Sequence, residues 1–474
     1  MFGTPTNRPG RGPAFWTLFE EELKELCRKL KPLIGKRADG LWLGYISADS
    51  PQAKRESELL IQMVAWKNLN QRVDDASVLL PPSTAAAAQG EFPLGTVLYN
   101  NKEQGPLRLE RENFVRHIGI YSITGAGKTN VAQLLLLSLL EAKIPFLVID
   151  WKRSYRLLKT LNHPLVNEIR VFTVGRKSIS PFHWNPLRGP PGVHPKTWIS
   201  IVAESLERSH ISGPGVADIF IELLDHQFEA HGMYGERFDH YANFFDARER
   251  LLKLSFKGRR SLWQDSCMRI LNTFTFGPAA GAFNARHPVK LEELLAKPII
   301  IELDQELPKP LRIFCSDLLL RWIHLHRLQQ GESSHLRHVT FLEEAHNLFP
   351  KSQIEKQTTN SLENVFREIR GFGEGLVSIT QHPSLIPIYI LGNSNTQIYL
   401  SLQHEDDIVT AKRALFLMSG EEVYLDRLPV GEGIVKIKGR VNPCHVRFPL
   451  VPVERDGPMD LSNKGGADGE ANVG

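Results

Sequence analysis

The sequence predicts an α/β fold: a mostly parallel sheet with an inserted helical subdomain and a small, mostly helical N-terminal module. Three observations predict it. First, IGIYSITGAGKT at 118–129 reads as strand, glycine-bearing loop and helix, the helix continuing through the apolar run 131–140. Second, short continuous apolar runs alternate with helical patterns, as strands buried on both faces do. These runs are FLVID at 146–150, RVFTV at 170–174, PIIIEL at 298–303, HVTFL at 338–342, GLVSIT at 375–380 and TQIYLSL at 396–402. Third, from about 181 to 295 the pattern turns helical, so the block at 190–295 reads as an insertion into the sheet.

The remaining elements follow in order. Residues 1–12 are polar and rich in Pro and Gly, which predicts a disordered arm and no signal peptide. Residues 15–31 and 51–71 have helical spacing, and 41–46 reads as a short strand. PPSTAAAAQG at 81–90 is a linker by composition, so 1–80 forms the N-terminal module. Short β-like pieces occupy 91–117. A long helix is expected at about 309–329, another at 355–370, and an edge strand at 431–438. The sheet domain therefore covers 91–455, and 456–474 reads as a disordered tail.

Composition sets bounds. At 474 residues the chain has room for two or three domains, and with 42% hydrophobic residues most of it should be globular. A net charge of +4 is too mild to argue for nucleic acid by itself. Cys27, Cys267, Cys315 and Cys444 lie far apart, which suits a reducing cytoplasm and neither a zinc site nor a disulfide framework. The apolar run at 134–140 is too short to span a bilayer, so a membrane role would need a partner.

The loop at 122–129 has the residue types of a phosphate cradle. Gly125 and Gly127 can turn several N–H groups onto one anion, and the helix that starts beside them adds its positive end. Lys128 would reach the β- and γ-phosphates, and the Thr129 hydroxyl would hold Mg²⁺. A glycine turn before a core helix is the plainer alternative; the order strand, loop, helix favours the nucleotide. The contact set is Ser122, Thr124, Gly125, Ala126, Gly127, Lys128, Thr129 and Asn130.

Such a loop needs an acidic partner. The strand at 338–342 ends in Glu343 and Glu344. The first would hold Mg²⁺, and the second would orient or deprotonate the attacking water. Asp150 ends the strand after the loop helix, where ligands of open α/β sheets gather; it joins the contact set as a second polar contact or is an ordinary strand-end acid, and Lys152 and Arg153 follow it. Gln381 ends another strand and could sense the γ-phosphate or the water. Arg370 closes a helix beside a glycine turn, as dipole compensation or as an arginine finger for a neighbouring subunit. His335, His338 and His346 have poor metal-ligand spacing and read as structural. The basic run KLSFKGRR at 253–260 reads as a solvated face.

Taken in order, HIGI at 117–120, TGAGKT at 124–129, FLVID, WNPL at 184–187, FLEEAH at 341–346, REIRGFGEGL at 367–376 and ITQHP at 379–383 resemble the HerA/FtsK group of P-loop ATPases, HerA-type proteins most closely. The resemblance covers about 91–450. It implies a RecA-like sheet, a hexameric ring, and ATP- and Mg²⁺-dependent movement along double-stranded DNA. It also implies roles: Lys128 and Thr129 for nucleotide and metal, Glu344 as catalytic carboxylate, Gln381 as sensor, Arg370 as the finger that completes the next subunit's site, and Arg116 at a further basic position. HerA-like motors often work with a nuclease or other effector, in DNA end processing or antiphage defence. The sequence departs from the family in Ser122, where Gly is usual, in Glu343, where Asp is usual, and in a helical module where HerA proteins begin with a small β-barrel. Two rivals remain: a coupling ATPase for conjugation or secretion, and an ATP-binding scaffold that activates an effector without moving.

Overall fold

Alternation along the central strands sets the architecture. In the run at 146–150, Phe146 and Val148 enter one apolar cluster, and Leu147 and Ile149 enter another on the opposite face. The run at 299–301 does the same, with Ile300 on one side and Ile299 and Ile301 on the other. Strands that are apolar on both faces need helices above and below. The computed structural model describes residues 18–70, 77–175, 180–213, 215–235, 239–351 and 361–454. The arm at 1–12 and the tail at 456–474 lie outside them.

The chain begins with α1 (Glu20–Ile34), α2 (Lys36–Ile46) and α3 (Pro51–Ala65). The Ser50 side chain accepts from the Ala53 N–H at 3.1 Å, and Pro51 opens α3 with its φ already set. The strand expected at 41–46 is helix instead. Ala38, Leu41, Trp42 and Tyr45 face the other two helices, a stripe of helical period in a run too short to separate from a strand. The module seats on the sheet domain through Tyr99 Oη, which donates to Lys29 O at 2.6 Å, and Asn100 Nδ2, which donates to Asn68 O at 3.1 Å. The segment at 81–90 is anchored: Ala85–Ala88 forms a 3₁₀ turn, and Ala87 is buried.

The strands are β1 (Phe92–Tyr99), β2 (Lys102–Leu109), β3 (Ile118–Tyr121), β4 (Phe146–Asp150), β5 (Arg170–Val174), β6 (Ile299–Leu303), β7 (Ser333–Glu343), β8 (Phe372–Thr380), β9 (Thr396–Tyr399), β10 (Glu432–Ile437) and β11 (Val441–Arg447). They form one sheet in the order β2-β1-β11-β10-β9-β3-β8-β7-β4-β6-β5. From β9 to β5 neighbouring strands run parallel; from β2 to β9 they run antiparallel. β9 stops at Tyr399, short of the expected 402. β11 was not expected. Its Asn442 and Pro443 are poor strand formers, and it is held as a strand by its pairing with β10 and β1.

After β2 comes the short α4 (Arg111–Val115), and after β3 comes α5 (Lys128–Glu141). Val131, Leu135, Leu136 and Leu139 of α5 pack on one face of the sheet, each buried Leu contributing roughly 1.5–3 kcal/mol. The insertion between β5 and β6 holds α6 (Pro195–His210), α7 (Val216–Ala230), α8 (Phe244–Leu252), α9 (Arg259–Thr275) and the short α10 (Pro278–Ala282) and α11 (Leu291–Leu294). With α12 (Lys309–Gln330), these helices cover the other face through Trp198, Phe220, Phe274, Phe314 and Trp322. Of the helix expected at 355–370, Ser361–Glu368 is described, and residues 352–360 lie outside the described residues. No helix among the described residues is long and apolar enough to cross a membrane.

Candidate active site

Strand register brings the distant motifs together. β8 lies between β3 and β7, with Tyr121 opposite Thr380 and Glu343 opposite Ile379. On the far side of β7, Leu342 faces Ile149 of β4. The ends of four strands therefore meet at one edge, and the loop at 122–127, Glu343–Glu344, Gln381 and Asp150 all stand there.

The loop takes the shape its glycines permit. Gly125 and Gly127 have φ of 86° and 111°, and a Cβ at Gly127 would come within 3.3 Å of Leu400 Cδ2. Ser122 is buried and joins β8 through its N–H to Thr380 O at 3.3 Å. Ala126 O accepts from Gly431 N at 3.2 Å, which fixes the loop to the start of β10. Lys128 folds back over the loop, and its Nζ donates to Ser122 O at 2.9 Å and Ile123 O at 3.3 Å. Burial and the Lys152 charge push the Lys128 ammonium down to about 8, against the pull of Glu344 and Glu343.

Glu344 sits at φ 51° and ψ 44°, a left-handed conformation that costs a glutamate energy and turns it out of the strand toward the loop. Its Oε1 accepts from Gln381 Nε2 at 2.9 Å, and Gln381 Oε1 accepts from Thr124 Oγ1 at 2.8 Å. A continuous line of side chains thus joins the phosphate loop to the second acid. Burial raises the Glu344 carboxyl, but Lys152, Gln381 and His346 outweigh it and hold the group below the usual range. Glu343 is almost fully buried, and its Oε2 accepts from Trp151 N at 3.2 Å. Burial and the adjacent Asp150 carboxylate push it well above the usual carboxylate range. Thr129 follows Lys128 in the first turn of α5.

Two residues of the expected contact set do other work. Asp150 is fully buried; its Oδ1 accepts from Lys152 N at 2.8 Å and Arg153 N at 2.9 Å, and its Oδ2 from Tyr155 N at 3.1 Å. It shapes the turn after β4. Asn130 donates from Nδ2 to Pro449 O and accepts at Oδ1 from Val451 N, both at 2.8 Å. It ties the 449–451 segment to α5.

Arg116 and Arg370 stand elsewhere. Arg116 precedes β3 and Arg370 precedes β8, so both lie at the opposite edge, where they line a cleft of about 880 Å³ with Arg111 and Lys438. The nine residues of β8 put roughly 30 Å between Arg370 and the edge that holds the phosphate loop. Neither arginine contacts that loop within one copy. His117 ties the two segments together: its Nε2 lies 2.9 Å from Phe366 O, and its Nδ1 accepts from Leu376 N at 3.1 Å. Burial lowers this imidazole to about 4, so it is neutral and donates through Nε2.

Lys152 completes the edge in a way the sequence did not reveal. Its Nζ lies 2.5 Å from Glu344 Oε1 and 3.7 Å from Glu343 Oε1. The available signal was a basic residue just past a strand-end acid; its partner became visible once β4 was placed beside β7.

The family model described as helicase HerA, central domain, matches residues 92–211. Among solved structures, the chain is similar to VirB4 of Thermoanaerobacter pseudethanolicus, with a TM-score of 0.59 and 15% identity over 77% of this chain and 97% of that one. It is similar to the plasmid coupling protein TrwB in complex with a non-hydrolysable ATP analogue, with a TM-score of 0.57 and 14% identity over 81% and 95% of the two chains. TrwB in complex with ADP and Mg²⁺ gives 0.55 and 13% over 74% and 89%. No curated protein matches the chain. At these identities the structural likeness is one of fold, a RecA-like sheet of the P-loop class. The match to the HerA central domain runs from β1 through α6, and the sheet that contains it has the fold of the P-loop class.

Proposed function

We propose that the chain hydrolyses ATP as a ring of copies, a hexamer, and uses the cycle to move along double-stranded DNA in the cytoplasm, working with a nuclease or other effector. DNA end processing and antiphage defence are the settings that fit such a motor. The observation that carries the proposal is the line Thr124, Gln381, Glu344, which joins a phosphate loop to a candidate base.

Lys128 would hold the β- and γ-phosphates once released from the loop carbonyls, beside the N–H groups of Gly125 and Gly127. Glu343 fits a hard divalent cation. It is a buried carboxyl beside the Asp150 carboxyl, burial and that neighbour raise it, and Mg²⁺ commonly takes one or two protein oxygens and completes its shell with phosphates and water. Thr129 and Glu343 would hold Mg²⁺, which would neutralise charge on the phosphates. Glu344 would accept the proton of the attacking water, with Gln381 holding both in line. Arg370 of a neighbouring copy, with Arg116 beside it, would stabilise the charge that develops on the transferred group.

DNA-stimulated ATP turnover tests this. Turnover should rise with duplex DNA, and Lys128→Ala and Glu344→Gln should each lower it by at least about 100-fold. Turnover in either variant equal to the unsubstituted chain would remove the proposed chemistry. Turnover indifferent to DNA, with recovery in the membrane fraction through a partner, would favour the coupling role that the likeness to the plasmid coupling protein TrwB supports.

A further inference from the structure

The turn after β4 is built to aim one side chain. Asp150 receives three backbone N–H groups from residues 152, 153 and 155, which fixes the chain reversal. Arg153, at φ 60°, is anchored by Glu302 and Asp304 at 3.6 and 3.7 Å. Trp151 is buried under the Arg312 guanidinium, 4.9 Å from the ring centroid, and its backbone N–H donates to Glu343. Between these fixed neighbours Lys152 projects across β7. Its side chain is 38% exposed, whereas that of Glu343 is 2% exposed. Its ammonium is the part with room to move.

In this arrangement the Glu344 carboxylate is engaged at both oxygens. Its Oε1 holds the Lys152 ammonium and the Gln381 amide at once, and its Oε2 has His346 Nδ1 at 3.4 Å. Lys152 also faces Lys128, whose ammonium it repels. Two cations thus look into the space in front of the phosphate loop, one resting on loop carbonyls and the other on the base.

We propose that Lys152 is a positioning residue that latches Glu344 and is drawn off it by the terminal phosphate of a bound nucleoside triphosphate. It rests on the nucleotide site proposed above. A diphosphate leaves the latch closed, because it lacks the group that competes for the ammonium. A triphosphate opens it, so the base is freed only when there is a bond to hydrolyse. Gln381 then keeps Glu344 in place between the loop and the water.

The test is equilibrium binding to the full chain with Mg²⁺, using a non-hydrolysable ATP analogue and ADP. Lys152→Met should weaken the analogue by about tenfold, the scale of one charge-assisted hydrogen bond, and change ADP by less than about twofold. Lys152→Arg should restore the analogue's affinity. Glu344→Gln releases the latch from the other side. It should tighten the analogue in the Lys152 chain and have no such effect in the Lys152→Met chain. Equal losses for both nucleotides in Lys152→Met, or the same tightening by Glu344→Gln in both backgrounds, would overturn the latch. Lys128→Ala separates the two levels. If that variant binds both nucleotides as tightly as the unsubstituted chain, the site itself is misplaced; if it loses both, the site holds and the Lys152 results judge the latch.

Discussion

The two edges of the parallel sheet are built on opposite terms. At the edge where the strands end, charged groups are satisfied within the copy, Lys128 by loop carbonyls and Glu344 by Lys152 and Gln381: Lys128 and Glu344 are each less than a tenth exposed, and Glu343 less still. At the edge where the strands begin, Arg111, Arg116 and Arg370 are exposed around an open cleft, and Arg116 is balanced by Glu112 at 2.5 Å, itself on the surface. One edge holds a phosphate cradle and a base. The other holds exposed arginines, two of them in surface ion pairs with Glu91 and Glu112, and no phosphate cradle. The strands are too long for the halves to meet within one chain, so the difference teaches that a complete site, on the proposed function, forms between copies.

Arg370→Ala gives the largest break in that comparison. Arginine fingers are worth about 10³-fold or more in turnover. The substitution should lower DNA-stimulated turnover on that scale while leaving the melting temperature unchanged, because the side chain is exposed and has no ion-pair partner among the described residues. Mixing Arg370→Ala chains with Glu344→Gln chains should restore part of the turnover, since some junctions then combine an intact Glu344 edge with an intact Arg370 edge. Absence of any recovery would confine the two groups to the same copy and dissolve the two-edge picture.

Beneath the exposed arginines the sheet is held by a buried charge. Glu374 is fully buried. It accepts from Arg327 Nε at 2.9 Å and from His338 Nδ1 and Thr340 Oγ1 at 2.7 Å. Burial alone would raise this carboxyl, but His338, Arg327 and Thr340 pull it down to about 2. The His338 imidazole is itself lowered by burial, so it serves as a neutral donor and Arg327 carries the positive charge. Glu374→Ala should cost about 3 kcal/mol in denaturant unfolding, because it leaves Arg327 buried without its partner. The pH dependence has a definite sign. The folded pKa lies below the unfolded one, so the Glu374 contribution is complete above the ordinary carboxylate value of 4.5 and is lost as pH falls toward about 2. Glu374→Gln should therefore flatten the loss of stability across that window. An acid limb as steep as that of the unsubstituted chain would show that this carboxylate is not what the acid attacks.

How far the sequence reveals these edges depends on the distance over which each signal acts. The phosphate loop is legible because Gly125, Gly127, Lys128 and Thr129 meet local backbone and ligand demands within a few residues. The runs ending at Asp150, Glu343 and Thr380 are legible as buried strands because they are apolar on both faces. Function beyond the motif is harder. Asn130 resembles a ligand contact until its partners appear 319 and 321 residues away. Asp150 resembles a site acid until three backbone N–H groups are found on it. Lys152 shows locally only as a basic residue past a strand-end acid, since its role depends on β4 lying beside β7. The short run at 41–46 misleads for a different reason: six residues cannot display the difference between a period of 2 and one of 3.6 when Leu, Trp, Leu, Tyr and Ile crowd both faces.

The smallest effect sharpens the comparison from the lightly built side. Glu112 and Arg116 are one helical turn apart, and their side chains are 59% and 53% exposed. Exposed pairs of this kind contribute about 0–1 kcal/mol, because solvent screens the attraction and two long side chains must be ordered to form it. Glu112→Ala should change unfolding free energy by no more than about 0.5 kcal/mol. Arg116 is then released toward the cleft it already lines, so turnover should stay within about twofold of the starting chain or rise slightly. If Glu112→Ala instead lowered turnover tenfold at unchanged stability, Glu112 would be setting the direction of Arg116. The cleft would then be a preformed half of a site, as ordered as the edge that carries Glu344. Measuring both quantities on the same variant separates a loose rim of arginines from an aimed one.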